Sequence, residues 1–527
     1  MPTLGPFARG SRVRIGPVRR RLACARRGPS RALACERAAG RYPRTGPCPA
    51  ILDACRPGRL TRPLRVEPRL VAAGHVLTDN RGRGARVRVE DVAGPAAWPH
   101  QPTPDLSGTR VGLLSVHTSP LAQPGTGDSG GLNVAVCALG RQLVRCGATV
   151  EVFTRATDDA SAGTVEIGDG ARVHHVPAGP PELAKHELAN HLCAFYLSMA
   201  VDPIAHELDL VHAHYWMSGW VARKLRQRHG VPFVQSFHTL ARAKNAALAP
   251  GDAPEPALRT TAEERIAQEA DAVLASTEDE ASLLRTCYGA SAGRVRVAPL
   301  GVDTEVFAPD AADRERTRVE LGVDGPLLLF VGRLQPLKGP DVAIEALAAL
   351  REREPAAQLV VVGGASGTGV GTTDPQGLAS LARQCGVEDA VRFLEPRPQR
   401  ALASLYRAAD VVLMPSRSES FGLVALEAQA CGTAVVAADV GGLRAALGEG
   451  AGRLVRGHRP EDYAAAVSSL VSEPDRLAAA GLAGARHAQR LGWDRAAAAA
   501  AGVYAEVLDE ARAEPVEAVA DAHAGAC

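Results

Sequence analysis

The 527-residue sequence is poor in aromatic residues, which make up only 4% of it. It has no stretch of about eighteen apolar residues free of charge, so it does not favour a membrane-spanning helix. With 46% hydrophobic residues, the chain is longer than one ordinary core requires, which predicts two or three domains. These features are typical of a globular protein, and we expect its folded part to lie in the cytoplasm.

Cysteine pairs with metal-binding or redox spacing are missing. The eleven cysteines include no CxxC pair, and Cys137, Cys193 and Cys431 lie inside apolar stretches. This distribution favours reduced, mostly buried thiols, with disulfides as the alternative.

Lysine is absent from the first hundred residues, which hold 21 arginines and only six acidic residues, a balance of +15. The net charge of +2 therefore leaves −13 for the rest of the chain. Residues 1–107 are rich in Arg, Ala, Gly and Pro and show little periodicity, which predicts a disordered or loosely ordered extension. An arm for nucleic acid or membrane surfaces, a targeting peptide, or a translation start placed too far upstream are the alternatives.

Short apolar runs alternate with amphipathic stretches from Thr109 onward, which predicts an α/β fold with a largely parallel sheet. The predicted strands of this first repeat are 111–116, 150–153, 210–213, 233–237, 272–275 and 295–298. The pattern then begins again, with predicted strands at 327–331, 359–362, 391–394, 411–414, 434–437 and 453–455.

Two Rossmann-like domains facing a central cleft are therefore expected, with a hinge near Pro299. In such a pair, ligands bind at the carboxyl ends of the strands. The predicted divisions are an extension at 1–107, domains at 108–302 and 303–485, a helix at 486–513 that packs back across the junction, and a tail at 514–527.

A glycine-rich loop at residues 123–133 follows the first strand and opens a helix. Its backbone amides, unobstructed at Gly130 and Gly131, can approach an anion or a sugar oxygen closely. The loop departs from the GxGxxG pattern, and no acidic residue ends the next strand, so a dinucleotide site is not favoured. A plain turn remains the alternative.

Two cations, Arg333 and Lys338, stand after the first strand of the second repeat and before a helix. Arg offers a planar fork and Lys a compact charge, so together they can clamp a diphosphate and stabilise charge on a leaving group. Two solvated surface cations are the alternative.

Glu419 and Glu427 flank a Phe-Gly turn, so the first is expected in a loop and the second on the following helix. Carboxylates are good acceptors for sugar hydroxyls. The acid and base of a glycoside hydrolase are the rival interpretation, but a hydrolase does not explain Arg333 and Lys338.

These residues resemble the signature of retaining family-4 glycosyltransferases with the GT-B fold, over roughly residues 109–510. The resemblance implies that Arg333 and Lys338 bind the UDP diphosphate, that Glu419 touches the donor sugar, and that Glu427 holds the ribose hydroxyls. It also implies that the backbone of Arg397 meets the uracil. Arg333, Lys338, Glu419 and, as a cleft residue, His238 are the candidate catalytic residues.

A narrower resemblance is carried by residues 115–121, 212–219, 236–241 and 332–340 together with the glycine-rich loop. These segments are similar to the D-inositol-3-phosphate glycosyltransferases of mycothiol synthesis. The resemblance implies transfer of N-acetylglucosamine from UDP-GlcNAc to 1D-myo-inositol 3-phosphate. Leu132 and Ala135 depart from the family's common Met and Tyr, which affects packing beside the acceptor but removes no polar contact.

The same resemblance assigns further residues to the two substrates. The donor side includes His117, Gln123, Pro124 and Gly131. The hydroxyls of the acceptor would be held by Asp128, Ser129, Gly130, Gly131, Leu132 and Asn133, and its phosphate by Lys185, Tyr215, Thr239 and Arg259. Taken alone, the last four have ordinary interpretations: the start of a helix for Lys185, strand ends for Tyr215 and Thr239, and a surface stretch for Arg259.

No cofactor is needed for this chemistry, although the resemblance implies that a structural Mg²⁺ could lie near Tyr406, Arg407, Ala409 and Thr433. It also makes a homodimer plausible. The nearest rival is a related transferase with other substrates, such as a sucrose-phosphate synthase or a mannosyltransferase. A rival of another class is a nucleic-acid-binding protein that works through the Arg-rich arm, although no nucleic-acid partner is expected.

Overall fold

The computed structural model describes residues 104–157, 163–168, 170–249, 252–365 and 375–513. All of them belong to one compact unit, Ala97–Cys527. The predicted N-terminal extension therefore lies almost entirely outside the described residues, and the predicted tail at 514–527 lies wholly outside them.

The first domain is built on an eight-stranded sheet with the order β3-β4-β2-β1-β5-β6-β7-β8. Its pairings are parallel except for that of β3 with β4. The strands are β1 (Arg110–Ser115), β2 (Thr149–Arg155), β3 (Thr164–Glu166), β4 (Arg172–Val176), β5 (Leu210–His214), β6 (Phe233–Ser236), β7 (Ala272–Ala275) and β8 (Val295–Val297). The helices are α1 (Gly131–Arg145), α2 (Leu192–Ala200), α3 (Trp216–His229), α4 (Ala241–Ala246), α5 (Ala257–Glu269) and α6 (Glu278–Cys287).

The second domain has a six-stranded parallel sheet with the order β11-β10-β9-β12-β13-β14. The strands are β9 (Leu327–Val331), β10 (Gln358–Val362), β11 (Val391–Leu394), β12 (Val411–Met414), β13 (Ala434–Ala438) and β14 (Gly452–Val455). The helices are α7 (Ala311–Leu321), α8 (Pro340–Arg351), α9 (Pro375–Gln384), α10 (Gln399–Ala408), α11 (Leu423–Ala430), α12 (Leu443–Ala446), α13 (Pro460–Val471) and α14 (Pro474–Ala488).

The apolar runs in the sequence correspond to the centres of these sheets. β1, β5 and β9 are buried along almost their whole length, as expected for parallel strands that are covered by helices on both faces. The prediction of two α/β domains with parallel sheets is thus confirmed. β3 and β4 were not predicted, because their short, polar sequences carry no apolar run.

A last helix, α15 (Trp493–Ala513), follows the second domain but packs on the first. Val302 donates its backbone N–H to Leu491 O at 2.8 Å, so the chain returns beside the linker before the helix starts. Ala497, Ala501 and Tyr504 of α15 belong to the same hydrophobic cluster as the first sheet. The exact domain boundaries stay predictions. Within the described residues, no helix is long and apolar enough to cross a membrane.

Candidate active site between the two domains

A cleft of about 350 Å³ lies between the domains, at the carboxyl ends of both sets of parallel strands. Most of the predicted site residues line it: His117, Pro124, Asp128, Gly130, Gly131, Leu132, Lys185, Tyr215, His238, Thr239, Arg259, Arg333, Lys338, Arg397, Glu419 and Glu427. Gln123, Ser129 and Asn133 do not line it.

The glycine-rich loop is held in shape by Asn133 of α1. The Gly130 N–H donates to Asn133 Oδ1 at 2.8 Å, and Asn133 Nδ2 donates to Thr118 Oγ1 at 2.9 Å and to Ser119 O at 2.5 Å. Asn133 is 1% exposed, and Ser129 is likewise buried, with its hydroxyl 3.1 Å from that of Thr118. Their side chains therefore shape the loop, and the direct contact of Asn133 with the acceptor hydroxyls stays a prediction.

The same loop contacts the second domain. Gln123 Nε2 donates to Arg397 O at 2.9 Å, and Gly364 donates its N–H to Gly125 O at 3.2 Å. Asp128 Oδ1 lies 3.9 Å from Arg333 Nη1 and accepts from Lys185 Nζ at 3.0 Å. The Asp128 carboxylate thus lies between Lys185 of the first domain and Arg333 of the second.

Two glycines with positive φ determine the backbone path of two loops in the second domain. Gly339 (φ 70°) lies so close to the loop after β12 that an added Cβ would stand 2.5 Å from Pro415 O. Gly422 (φ 104°) turns the chain into α11, and a Cβ there would meet Leu443 at 2.7 Å. These turns bring Lys338 and Glu419 together from loops that are 81 residues apart.

In the second domain, Lys338 Nζ donates to Glu419 Oε2 at 2.5 Å. Both side chains are mostly buried, with 23% and 16% exposed. Burial lowers the pKa of Arg333, while Asp128 and Glu419 act in the opposite direction. A guanidinium nevertheless stays protonated at neutral pH. The loops therefore place two cations and a carboxylate where an anionic leaving group and a sugar hydroxyl can be bound.

Glu427 lies on α11, as predicted, and its Oε2 accepts from the hydroxyl of Tyr406 at 2.8 Å. Burial raises the pKa of Glu427 to about 7, although the hydrogen bond from Tyr406 lowers it. This carboxyl therefore changes its charge near neutral pH.

A cationic cluster surrounds Tyr215 in the first domain. Lys185 Nζ lies 5.4 Å from the centre of the Tyr215 ring, and the Arg259 guanidinium carbon lies 4.9 Å from it. Arg259 Nη2 also donates to the backbone oxygen and the hydroxyl of Thr239, each at 2.9 Å. The four residues assigned to an acceptor phosphate are therefore neighbours in the fold.

Arg259 and Lys185 differ from their ordinary interpretations. Arg259 is not in a surface stretch: it lies on α5, is 3% exposed, and pairs with Glu263 at 2.7 Å and with Glu255 at 3.0 Å. A buried guanidinium requires such carboxylates to offset its lost hydration. Lys185 lies in a turn before a short 3₁₀ segment and does not begin a helix.

The four residues expected near a structural Mg²⁺ lie together in the fold, and the ion itself stays a prediction. Arg314 Nη1 donates to Arg407 O at 2.6 Å and to Ala409 O at 2.7 Å, and Thr433 Oγ1 donates to Tyr406 O at 2.6 Å. Three of the four carbonyls therefore already accept a hydrogen bond, two of them from the Arg314 cation. The described residues contain no cluster of three or more His, Cys, Asp or Glu that could hold a metal.

Sequence reasoning missed several residues that line the cleft. Lys244 on α4 adds a cation, which pairs with Glu255. Ser276 follows β7 and donates to Glu280 at 2.6 Å. Gln335 and Ser416 follow β9 and β12. The position of Ser276 and Ser416 just after predicted strands was the available signal, since the carboxyl ends of parallel strands meet at one edge; Lys244 and Gln335 lie farther from their strands and carry no such signal.

Two facing α/β domains, with a cation pair on the second and a shared cleft, define a glycosyltransferase of the GT-B fold. Two family descriptions match the chain: glycosyl transferase 4-like domain over residues 130–301 and glycosyl transferases group 1 over residues 312–487. The chain belongs to the family of D-inositol 3-phosphate glycosyltransferases.

Close relatives support this membership. The D-inositol 3-phosphate glycosyltransferase 2 of Catenulispora acidiphila is 50% identical over 413 residues, which cover 77% of this chain and 96% of that protein. The D-inositol 3-phosphate glycosyltransferase of Xylanimonas cellulosilytica is 51% identical over 416 residues, covering 76% of this chain and 98% of that protein.

Solved structures agree on the fold. Sucrose-phosphate synthase from Thermosynechococcus elongatus is 31% identical, with a TM-score of 0.70, over 76% of this chain and all of that one. Anabaena HepE, solved with UDP and glucose, is 22% identical, with a TM-score of 0.60, over 76% of this chain and all of that one. The second likeness concerns the fold alone.

Proposed function

We propose that this protein is a retaining glycosyltransferase that transfers N-acetylglucosamine from UDP-GlcNAc to 1D-myo-inositol 3-phosphate, the first step of mycothiol synthesis. The observation that carries the proposal is that two separate pairs of cationic side chains line one cleft. Arg333 and Lys338 stand on the donor side, and Lys185 and Arg259 stand around Tyr215 on the acceptor side. A diphosphate and a monophosphate ester are the ligands that such a pair of sites fits.

On the donor side, Arg333 and Lys338 bind the diphosphate, Glu419 accepts from the sugar hydroxyls and Glu427 accepts from the ribose. The Arg397 carbonyl meets the uracil. This carbonyl accepts from Gln123, and Lys338 pairs with Glu419, so the donor must share or displace both contacts.

On the acceptor side, the phosphate lies against Lys185, Arg259 and the hydroxyls of Tyr215 and Thr239. Lys185 also donates to the Asp128 carboxylate, so the phosphate must displace that carboxylate or share the cation with it. The backbone of the glycine-rich loop faces the cyclitol hydroxyls.

In the reaction, the acceptor hydroxyl attacks the anomeric carbon from the face that the diphosphate leaves. The new C–O bond forms as the bond to the phosphate oxygen breaks, and that oxygen takes the proton of the hydroxyl. No protein nucleophile and no metal takes part. Arg333 and Lys338 stabilise the charge that develops on the departing UDP, in a cleft whose groups are already oriented.

UDP release tests the proposal. Purified protein is incubated with UDP-GlcNAc, and UDP is measured with and without 1D-myo-inositol 3-phosphate; the anomeric configuration of the product is read by NMR. We expect UDP release that requires this acceptor, and a product with the configuration of the donor. An inverted product would refute the retaining mechanism, and acceptor-independent release would refute the transfer.

A related transferase is the second candidate, favoured by the 31% identity to sucrose-phosphate synthase. Parallel reactions with UDP-glucose and fructose 6-phosphate separate the two, because each predicts turnover with its own acceptor. Deletion of residues 1–107 tests the nucleic-acid alternative: transfer should survive the deletion, whereas a working Arg-rich arm would lose its nucleic-acid retention. Cytoplasmic location and a homodimer remain part of the proposal.

A further inference from the structure

Two neighbouring strands of the first sheet end at residues with unusual backbone. Tyr215 follows β5 with φ 75°, and His238 lies two residues after β6 with φ 60°. His214 pairs in register with Ser236, so the two strand ends lie side by side. Residues with a Cβ rarely adopt such φ values unless their surroundings enforce them, and they concentrate at ligand sites. The backbone at His238 is therefore held in place by its neighbours.

The neighbour that contacts the His238 side chain is His214. His214 Nδ1 lies 2.9 Å from His238 Nε2, and the ring centres are 5.2 Å apart. His214 is 1% exposed, and its Nε2 is buried without a hydrogen-bond partner among the described residues. Of the four ring nitrogens of the pair, two contact each other and His214 Nε2 is buried without a partner in the described part of the chain. The fourth nitrogen is His238 Nδ1.

His214 itself packs against a fixed ring. The two nitrogens of His212 are bonded to the hydroxyl of Tyr504 on α15 at 2.6 Å and to that of Ser236 at 2.9 Å. The rings of His212 and His214 have centres 4.1 Å apart. The last helix of the chain therefore supports the histidine pair that ends in the cleft.

All three histidines are neutral at neutral pH. Burial lowers the pKa of His212 to about 3 and that of His238 to about 4, and burial together with the nearby His212 and His238 lowers the pKa of His214 well below its usual value. Each ring then carries one hydrogen, and only one arrangement leaves no buried N–H unpaired. If His214 carried its hydrogen on Nε2, that N–H would have no partner, which native proteins avoid. With the hydrogen on Nδ1, His214 donates to His238 Nε2, and His238 must carry its own hydrogen on Nδ1.

We propose that His214 is a positioning residue that fixes the ring and the Nδ1–H tautomer of His238, so that His238 meets the substrates as a hydrogen-bond donor. His238 lines the cleft beside Thr239, and its Nδ1 is the atom left to face a ligand oxygen. The inference rests on the proposed function, because it assigns His238 a part in the transfer. The partner of a functional histidine commonly decides which of its nitrogens is protonated.

The test compares His214→Leu, which removes the donor, with His214→Asn, whose amide N–H can take the place of Nδ1. His206→Leu, at an exposed histidine away from the cleft, is the matched control. We expect His214→Leu to lower kcat by about tenfold to a hundredfold, a size common for the second partner of a functional histidine, and His214→Asn to restore most of it. Thermal melting and UDP binding report whether each variant is folded.

Two further measurements separate positioning from packing. In a His238→Ala background, His214→Leu should have no further effect on kcat, because both changes remove the same contact. The ¹⁵N shifts of labelled histidines should show His238 protonated on Nδ1 in the parent and a shift toward mixed tautomers in folded His214→Leu. If His214→Leu fails to fold, His214→Asn is compared with His214→Gln, whose longer amide reaches past the Nδ1 position. The inference then requires the Asn variant to be the more active of the two.

Each outcome points to one conclusion. Equal activity of the Asn and Leu variants, additive effects with His238→Ala, or an Nε2-protonated His238 in the parent would overturn the inference. Full activity of His238→Ala would instead remove His238 from the proposed reaction. If His238→Ala is inactive while His214→Leu is not, the proposed function stands and the inference alone fails.

Discussion

Lys338→Ala tests the cation pair of the second domain. The Lys338 ammonium is 2.5 Å from Glu419 in a mostly buried site, so it stands where a second anion can approach it. One unit of charge that develops on the leaving diphosphate about 4 Å away interacts with it by about 4 kcal/mol at an effective dielectric constant of ~20, and by about 1 kcal/mol in bulk water.

Because both side chains of this pair are mostly buried, we expect a value near the upper limit: a loss of about a hundredfold to a thousandfold in kcat, roughly 2.7 to 4 kcal/mol, which is the usual cost of removing one group that stabilises a developing anion. The assay is initial-rate UDP release at saturating donor and acceptor. Lys224→Ala, on α3 and away from the cleft, is the matched control and should keep the parent rate. Lys338→Arg should recover part of the lost activity, because it restores the positive charge but not the compact shape of the lysine ammonium group.

The melting temperature of Lys338→Ala should fall only slightly, since both side chains of the mostly buried pair keep some access to water, which can hydrate the Glu419 carboxylate left behind. A folded Lys338→Ala variant with kcat within about tenfold of the parent, under ~1.4 kcal/mol, would refute the assignment of this cation to the leaving group.

Three further predictions concern the residues around this cation. Glu419→Gln should bind UDP at least as tightly as the parent, because Lys338 loses its competing anion, yet lose transfer by about tenfold or more; calorimetry and rate assays on one preparation check both. The KM for UDP-GlcNAc should fall as pH rises through about 7, where Glu427 ionises, and in Tyr406→Phe the midpoint should move upward, because the hydrogen bond that lowers this pKa is gone. Arg259→Leu should raise the acceptor KM and lower the melting temperature, because it leaves the buried Glu263 unpaired; an unchanged acceptor KM would contradict the phosphate site.

The sequence was most informative where the fold is most regular. Buried parallel strands such as β9 have continuous apolar runs, so both sheets and the loops after their strands could be predicted. β4 could not be predicted, because Arg172 and His174 pair with Glu151 of β2 through long-range contacts that no local sequence pattern indicates.

Side-chain environment was harder to predict than position. Taken alone, the local sequence of Arg259 is that of a surface stretch, although Glu255 and Glu263 stand four residues before and after it, a spacing that can place them beside it on a helix. Asn133 lies where expected, but its amide is used within the loop. Tertiary contacts decide which polar groups form hydrogen bonds with one another, and the spacing of residues along the sequence does not predict those contacts.

A crystal structure with UDP bound is the most direct test of the central claim, that the cations after β9 hold the diphosphate of the donor. The account predicts phosphate oxygens within hydrogen-bonding distance of Arg333 and Lys338, with the ribose against Glu427. UDP bound elsewhere, or in this cleft without contact to either cation, would contradict it.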